Sequence, residues 1–304
     1  MKAKPSIPAS FSGLSVIGGS GAYDLDLGQI GAVVDELAVE TPFGRVESIL
    51  LIDPPHEDAK PIAFVSRHGR EAYRIGAWDV NYRALIYALK EIGTERIVAW
   101  SGPGAVNPLF EPGDYVLPSG LIDLTRKRED TFYRGTGLGF IRQNPVFCPH
   151  IHDKLLDVLA STGRKHHIDA VYTVTEGPRL ETADEVRMIS RLGGELVGMT
   201  LAPEAFLARE LEMCYHPVCY IANWAEGVRE LPFRGGELFE GMLEEERVEK
   251  VEEAVRGFTE IVRLLAGRFE KTDNRDCPCS QAMLRYRRQG RVGEDWREWI
   301  GRED

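Results

Sequence analysis

The chain is 304 residues long, and 48 acidic against 37 basic residues leave a formal net charge of −11. That length suffices to bury a core needing neither disulfides nor structural metal, and such acidity excludes a basic nucleic-acid-binding face, though not a local pocket for one small anion. No run approaches the roughly 18 apolar residues of a membrane span, the polar start MKAKPSIPASFSG lacks the apolar stretch of a signal peptide, and five Cys at irregular spacings do not make a secreted disulfide framework. A cytoplasmic globular protein with no nucleic-acid or membrane partner is expected.

In chain order, residues 14–17 form a short apolar run ending in glycines, and residues 48–52 and 62–66 read as strands. Residues 80–92 space their apolar side chains as a helix does, with Gly93 placed just past its end. Residues 96–100 form a strand that ends in Ser-Gly-Pro-Gly. Further strands are expected at 114–118, 170–174, 196–199 and 216–222, and helices at 183–192, 203–212 and 243–268. This alternation favours an α/β fold with much parallel pairing. With no repeat or linker inside it, residues 1–268 read as one domain. Residues 269–304 read as an appended tail carrying Cys277-Pro278-Cys279 and an Arg-rich helix, packed on the body, packed on a neighbouring subunit, or disordered; Trp296, Trp299 and Ile300 favour burial.

Three glycine-rich or basic clusters each follow a strand. In Gly18-Gly19-Ser20-Gly21 the glycines let backbone N–H groups approach an anion and the Ser adds a donor; such a turn is equally an ordinary tight turn. It matches neither the dinucleotide fingerprint nor the P-loop. Arg67-His68-Gly69-Arg70 offers a planar fork of donors and a second donor from His, and Ser101-Gly102-Pro103-Gly104 is the third cluster. Ligands of open α/β sheets collect beyond the carboxyl ends of strands, so the three make one anion site if those ends converge. Spacing does not decide whether they do.

These clusters, with Thr41-Pro42-Phe43-Gly44, Val80-Asn81-Tyr82-Arg83-Ala84, Glu111-Pro112-Gly113-Asp114, Phe147-Cys148-Pro149, Thr175-Glu176-Gly177-Pro178-Arg179, Val197-Gly198-Met199-Thr200 and Pro203-Glu204, resemble the purine nucleoside phosphorylase and methylthioadenosine phosphorylase family. Nine motifs in family order over residues 14 to 265 make the resemblance specific. It implies a three-layer α/β nucleoside phosphorylase-like fold with a distorted central mixed β-sheet, a homotrimer or dimer of trimers, and a pentosyltransferase that splits a purine nucleoside with phosphate into base and ribose 1-phosphate. Carried over, the phosphate site is Ser20, Arg67, His68, Ser101 and Thr200. Met199 lies under the ribose, Leu180 walls the base, Gly102 and Ala225 complete the ribose and base site, and Glu181 and Asn223 face the purine edge. Asn223, His68 and Glu181 are the candidate catalytic residues. The co-substrate is inorganic phosphate, and neither cofactor nor metal is implied.

The base site bears on substrate. Adenine-type members carry Thr-Asp-x-Asp where this chain has Ala222-Asn223-Trp224-Ala225. An Asn amide can donate to N7 and O6 of a 6-oxopurine, whereas a carboxylate would repel that oxygen. Glu181 stands where 6-oxopurine members keep an acceptor for N1–H. Both point to hypoxanthine or guanine. Around the sugar 5′ end, residues 227–243 contain no His but offer Val228, Leu231, Phe233, Leu238 and Phe239, which suits 5′-methylthioinosine better than inosine. Departures from the family pattern are Ala72 in place of a second His, Gly76-Ala77-Trp78-Asp79 in place of a Pro-containing turn, and Pro103, which removes a backbone donor. They keep open a 5′-methylthioadenosine phosphorylase, a nucleosidase using water, and a catalytically weak nucleoside-binding homologue.

Cys277-Pro278-Cys279 lacks two further ligands nearby in sequence, and a closed zinc site needs four. A disulfide or free thiols is therefore the expectation there, with Cys148, Cys214 and Cys219 as core residues and the adjacent His166 and His167 diverging.

Overall fold

The computed structural model describes residues 11–22, 25–55, 60–69, 74–232, 235–239, 242–269 and 275–301. In chain order the regular elements are β1 (Leu14–Gly18), β2 (Ala32–Thr41), β3 (Gly44–Asp53), β4 (Ile62–Ser66), α1 (Tyr82–Glu91), β5 (Arg96–Ser101), β6 (Gly104–Ala105), β7 (Tyr115–Asp123), α2 (Pro149–Thr162), β8 (His166–Val174), α3 (Ala183–Arg191), β9 (Leu196–Gly198), α4 (Glu204–Glu210), β10 (Cys214–Tyr220), β11 (Asn223–Trp224), α5 (Glu245–Ala266) and α6 (Leu284–Arg288).

The strands form one mixed sheet in the order β11-β6-β9-β8-β7-β10-β5-β1-β4-β3-β2. Its middle is parallel: β10, β5, β1 and β4 run together, with Val16 of β1 opposite Phe64 of β4 and Val98 of β5. β7 joins β10 antiparallel through two residue pairs, and the β7–β8 register slips around Pro118, so the sheet bends there.

Because side chains alternate across a strand, the central strands feed two cores. Ile17, Ala63, Val65, Ile97, Ala99 and Tyr215 face α1 and α4. Val16, Phe64, Val98, Trp100 and Val218 face α2 and α5. Apolar residues on both faces explain why these strands read as continuous apolar runs rather than alternating ones. Asn81 caps α1 through its side chain on the Ala84 N–H, and Gly93 follows that helix with φ 87°, a region open to glycine.

The C-terminal segment packs on the body of the same chain. Met283, Tyr286 and Trp299 are buried in the α1/α4 core, and Trp296 lies edge-on to Tyr87 with centroids 4.9 Å apart. Arg287 donates to both Glu212 oxygens at 2.7 and 2.8 Å, and Arg297 to both Glu91 oxygens at 2.9 and 3.0 Å.

That packing corrects the reading that Cys277-Pro278-Cys279 has no second cysteine pair near it. Cys148, at the start of α2, and Cys214, at the start of β10, come together because α2 packs on β10. The returning segment sets Cys277 and Cys279 beside them, with all four sulfurs within 4.8 Å of one another. The contacts span up to 131 positions (279 − 148), so no local spacing could reveal them.

Candidate active site

β5, β1 and β4 are adjacent and parallel, so their carboxyl ends leave the sheet on one side. The Gly19-Ser20, Arg67-His68 and Ser101-Gly102 turns therefore converge, as the anion reading requires. A cavity of about 670 Å³ lies over them. Ser20, Arg67, His68, Ser101, Gly102 and Thr200 line it from the strand ends, and Leu180, Glu181, Met199, Asn223 and Ala225 line it from the loop after β8, the end of β9 and the region of β11. Every site residue expected from the sequence thus faces the same space.

Two glycines are needed for this closeness. A Cβ on Gly19 would stand 2.8 Å from the Trp100 carbonyl oxygen and 3.0 Å from an Arg67 terminal nitrogen, and one on Gly102 would stand 2.6 Å from the Tyr220 ring. The first loop can rest on Arg67 only without a side chain there.

Arg67 is aimed by partners from three elements. Its Nε donates to Glu204 Oε1 at 2.6 Å, Nη2 to Glu204 Oε2 at 3.1 Å, and Nη1 to the Trp100 carbonyl at 2.9 Å. Tyr215 donates to Glu204 Oε2 at 2.7 Å. Both members of the ion pair have fully buried side chains. Burial alone would lower the Arg67 guanidinium, but Glu204 outweighs it and holds Arg67 above its ordinary range. These bonds use three of five N–H donors, and the guanidinium lines the cavity.

Three hydroxyls lie alongside. Ser101 Oγ is 3.1 Å from Thr200 Oγ1 and 3.1 Å from Tyr172 Oη, and the latter two are 3.4 Å apart. His68 Nδ1 lies 2.9 Å from the Ile75 carbonyl, and burial, then Arg67, pushes its pKa down to about 4. A neutral ring donating from Nδ1 adds no positive charge, so His68 differs from the second cationic donor that its sequence position suggests.

Across the cavity, the Asn223 amide donates to the Trp224 carbonyl at 2.6 Å and lies 3.8 Å from Met242 Sδ, a weak acceptor on the cavity wall. The Thr175 hydroxyl donates to one Glu181 carboxylate oxygen. The loop bearing Glu181 is fixed from behind. Arg128 donates to the Thr175 and Glu176 carbonyls at 3.2 and 3.1 Å, and Glu176 accepts the Arg126 and Lys127 N–H groups at 2.7 and 3.0 Å. Of the apolar residues expected at the 5′ end, Leu238 and Phe239 line the cavity, Leu231 lines a neighbouring pocket, and Val228 packs against the core. Phe233 and Ala72 lie outside the described residues.

Sequence reasoning missed Glu204, Tyr215 and Tyr172, which touch the site residues rather than matching a ligand-binding pattern. Pro203-Glu204 was visible as a motif but carried no role. Trp78, one of the departures from the family pattern, also lines the cavity, near Met199.

Residues 15–265 match the family described as the phosphorylase superfamily. The chain is 40% identical over 222 residues to the 6-oxopurine nucleoside phosphorylase of Pyrococcus furiosus, covering 71% of this chain and 80% of that relative. It is 36% identical over 271 residues to the probable S-methyl-5′-thioinosine phosphorylase of Methanopyrus kandleri, covering 89% and 97%. In structure it is similar to a methylthioadenosine phosphorylase from an antarctic soil metagenomic library, with a TM-score of 0.75 at 24% identity over 90% of this chain and 91% of that one. The chain belongs to the phosphorylase superfamily, in its purine nucleoside and methylthioadenosine phosphorylase family.

Proposed function

We propose that this chain splits the N-glycosidic bond of a 6-oxopurine nucleoside with inorganic phosphate, giving free base and a ribose 1-phosphate. The observation that carries this reading is the single cavity lined at one side by Arg67, Ser20, Ser101 and Thr200 and at the other by Asn223 and Glu181. The names of the relatives from Pyrococcus furiosus and Methanopyrus kandleri support it.

Phosphate sits below C1′, held by Arg67, the Ser20 loop and the hydroxyls of Ser101 and Thr200. As the bond from C1′ to the purine breaks, its electron pair leaves with the base and positive charge grows on the ribose. The phosphate dianion stabilises that charge and a phosphate oxygen then bonds to C1′. The Asn223 N–H facing Met242 turns to N7 and O6, where the leaving electrons accumulate; a preorganised donor of this kind is worth roughly 3 kcal/mol. Glu181, with one oxygen held by Thr175, accepts from N1–H through the other. His68, neutral, supports the turn beside Arg67. The reaction needs no covalent enzyme intermediate.

A second reading, for 5′-methylthioinosine, is favoured by one observation: Leu238, Phe239 and Met242 give the cavity an apolar wall. The enzyme is further proposed to be a cytoplasmic homotrimer, on the family resemblance. An HPLC assay of inosine, guanosine, adenosine, methylthioadenosine and methylthioinosine, with and without phosphate, tests these readings. The expected result is phosphate-dependent release of hypoxanthine or guanine. Release without phosphate would make the protein a nucleosidase, and binding without turnover a silent homologue.

A further inference from the structure

We propose that Cys148, Cys214, Cys277 and Cys279 hold one Zn²⁺ ion in a tetrahedral site that fastens the C-terminal segment to the body. The four sulfurs lie within 4.8 Å of one another, the nearest recorded pair being Cys214 and Cys277 at 3.4 Å. A zinc ion bound at 2.3 Å by four thiolates sets its sulfurs about 3.8 Å apart along each edge, so the cluster has the size of that tetrahedron. All five cysteines of the chain are free thiols, and the fifth, Cys219, lies outside the cluster.

The surroundings suit a closed, structural centre. Cys148 is the N-cap of α2 yet makes no side-chain capping bond, leaving its sulfur to ligate, and the positive end of that helix favours a thiolate. Binding releases four thiol protons, so the loaded site carries a formal charge of −2. Lys90 interacts electrostatically with Cys214 and Arg209 with Cys279, which offsets that charge. No oxidation or reduction is involved. Three of the four cysteines are buried and Cys277 nearly so, leaving no open position for substrate.

The position explains the use. Cys214 begins β10 and Tyr220, on the cavity wall, ends it, so metal and cavity lie at opposite ends of one strand, about 20 Å apart. The segment to be held is short of regular structure: a five-residue helix and two 3₁₀ turns. A metal bridging α2, β10 and this segment supplies a cross-link that so few helical residues cannot.

The test is the metal content of the full chain produced in zinc-supplemented medium and gel-filtered. Elemental analysis should give one zinc per chain, released to a chromogenic chelator when the thiols are titrated with a mercurial. The Cys277→Ser/Cys279→Ser variant should hold none and lose its last residues to protease faster, while Cys219→Ser should keep its zinc. Cobalt exchanged for zinc should show the intense visible bands of a tetrahedral thiolate site. A chain with no bound metal after dialysis against Zn²⁺ overturns the proposal, whether its five thiols are all reactive under denaturing conditions or some are lost to disulfides. Zinc retained by the double variant overturns it equally. Mercurial release needs no variant and decides the matter even if the double variant fails to fold.

Discussion

Replacing Glu204 by Gln tests how the cavity acquires its cation. Glu204 accepts from Arg67 Nε on one oxygen and from Arg67 Nη2 and Tyr215 on the other. A Gln amide must put its NH₂ at one of those positions. At the first it faces the Arg67 Nε–H, 2.6 Å away, and at the second the Arg67 Nη2–H, 3.1 Å away. Either orientation turns one hydrogen bond into a donor–donor contact and removes the neutralising charge, so Arg67 must rotate. Removing one partner of a buried pair costs about 3–5 kcal/mol of stability, and Gln, which keeps one bond, should stay at or below that range. For catalysis, the misaimed guanidinium loses one charge-assisted bond to phosphate, worth about 1.5–3 kcal/mol, or roughly ten- to hundredfold in KM for phosphate. The assay is initial rate against phosphate at saturating nucleoside, then against nucleoside at saturating phosphate, with circular dichroism as the folding check. Phosphate KM should rise while nucleoside KM hardly moves. An unchanged phosphate KM in a folded variant, or equal rises in both constants, would refute the reasoning.

Further outcomes follow from other parts of the molecule. Asn223→Asp places a carboxylate against the Trp224 carbonyl and against O6; kcat/KM for inosine should fall about a hundredfold, with preference moving toward adenosine, and HPLC rates that leave inosine unaffected would remove Asn223 from the base site. Burial pushes Glu210 up to about 7, while it pushes His68 down to about 4 and His216 down to about 3. Between about pH 4.5 and 6.5 the unfolded chain therefore gains protons at both histidines, and the folded chain retains one at Glu210. The histidine contributions to stability are present above that window and lost on acidification, and Glu210 opposes them. Glu210→Gln should make urea-unfolding stability rise more steeply with pH there, by about 1.4 kcal/mol per unit; an unchanged slope contradicts the burial argument. Trp299→Ala removes a buried indole that donates to the Gly293 carbonyl at 2.9 Å and should cost about 3–5 kcal/mol in the same titration.

Much of this was legible in the sequence, for identifiable reasons. β4 and β5 are buried on both faces, so their apolar runs stand out, and α1 carries a cap and a following glycine. β2 escaped notice because most of its ten residues are exposed, which erases the apolar signal. α2 also escaped: its His, Asp and Lys residues dilute a buried stripe of Ile151, Leu155, Val158 and Leu159. Arg67, Ser101 and Asn223 could be named because ligand-binding chemistry prefers those residue types. Glu204 could not, since a buried carboxylate 137 positions from its Arg67 partner leaves no local mark. The cysteine cluster is hidden in the same way.

The most direct test of the central claim is a ³¹P NMR time course of the full chain with inosine and inorganic phosphate. The account predicts that the phosphate signal falls as a sugar 1-phosphate signal rises, mole for mole with the hypoxanthine released. Hypoxanthine appearing while the phosphate signal stays constant, or no turnover of any 6-oxopurine nucleoside, would contradict it.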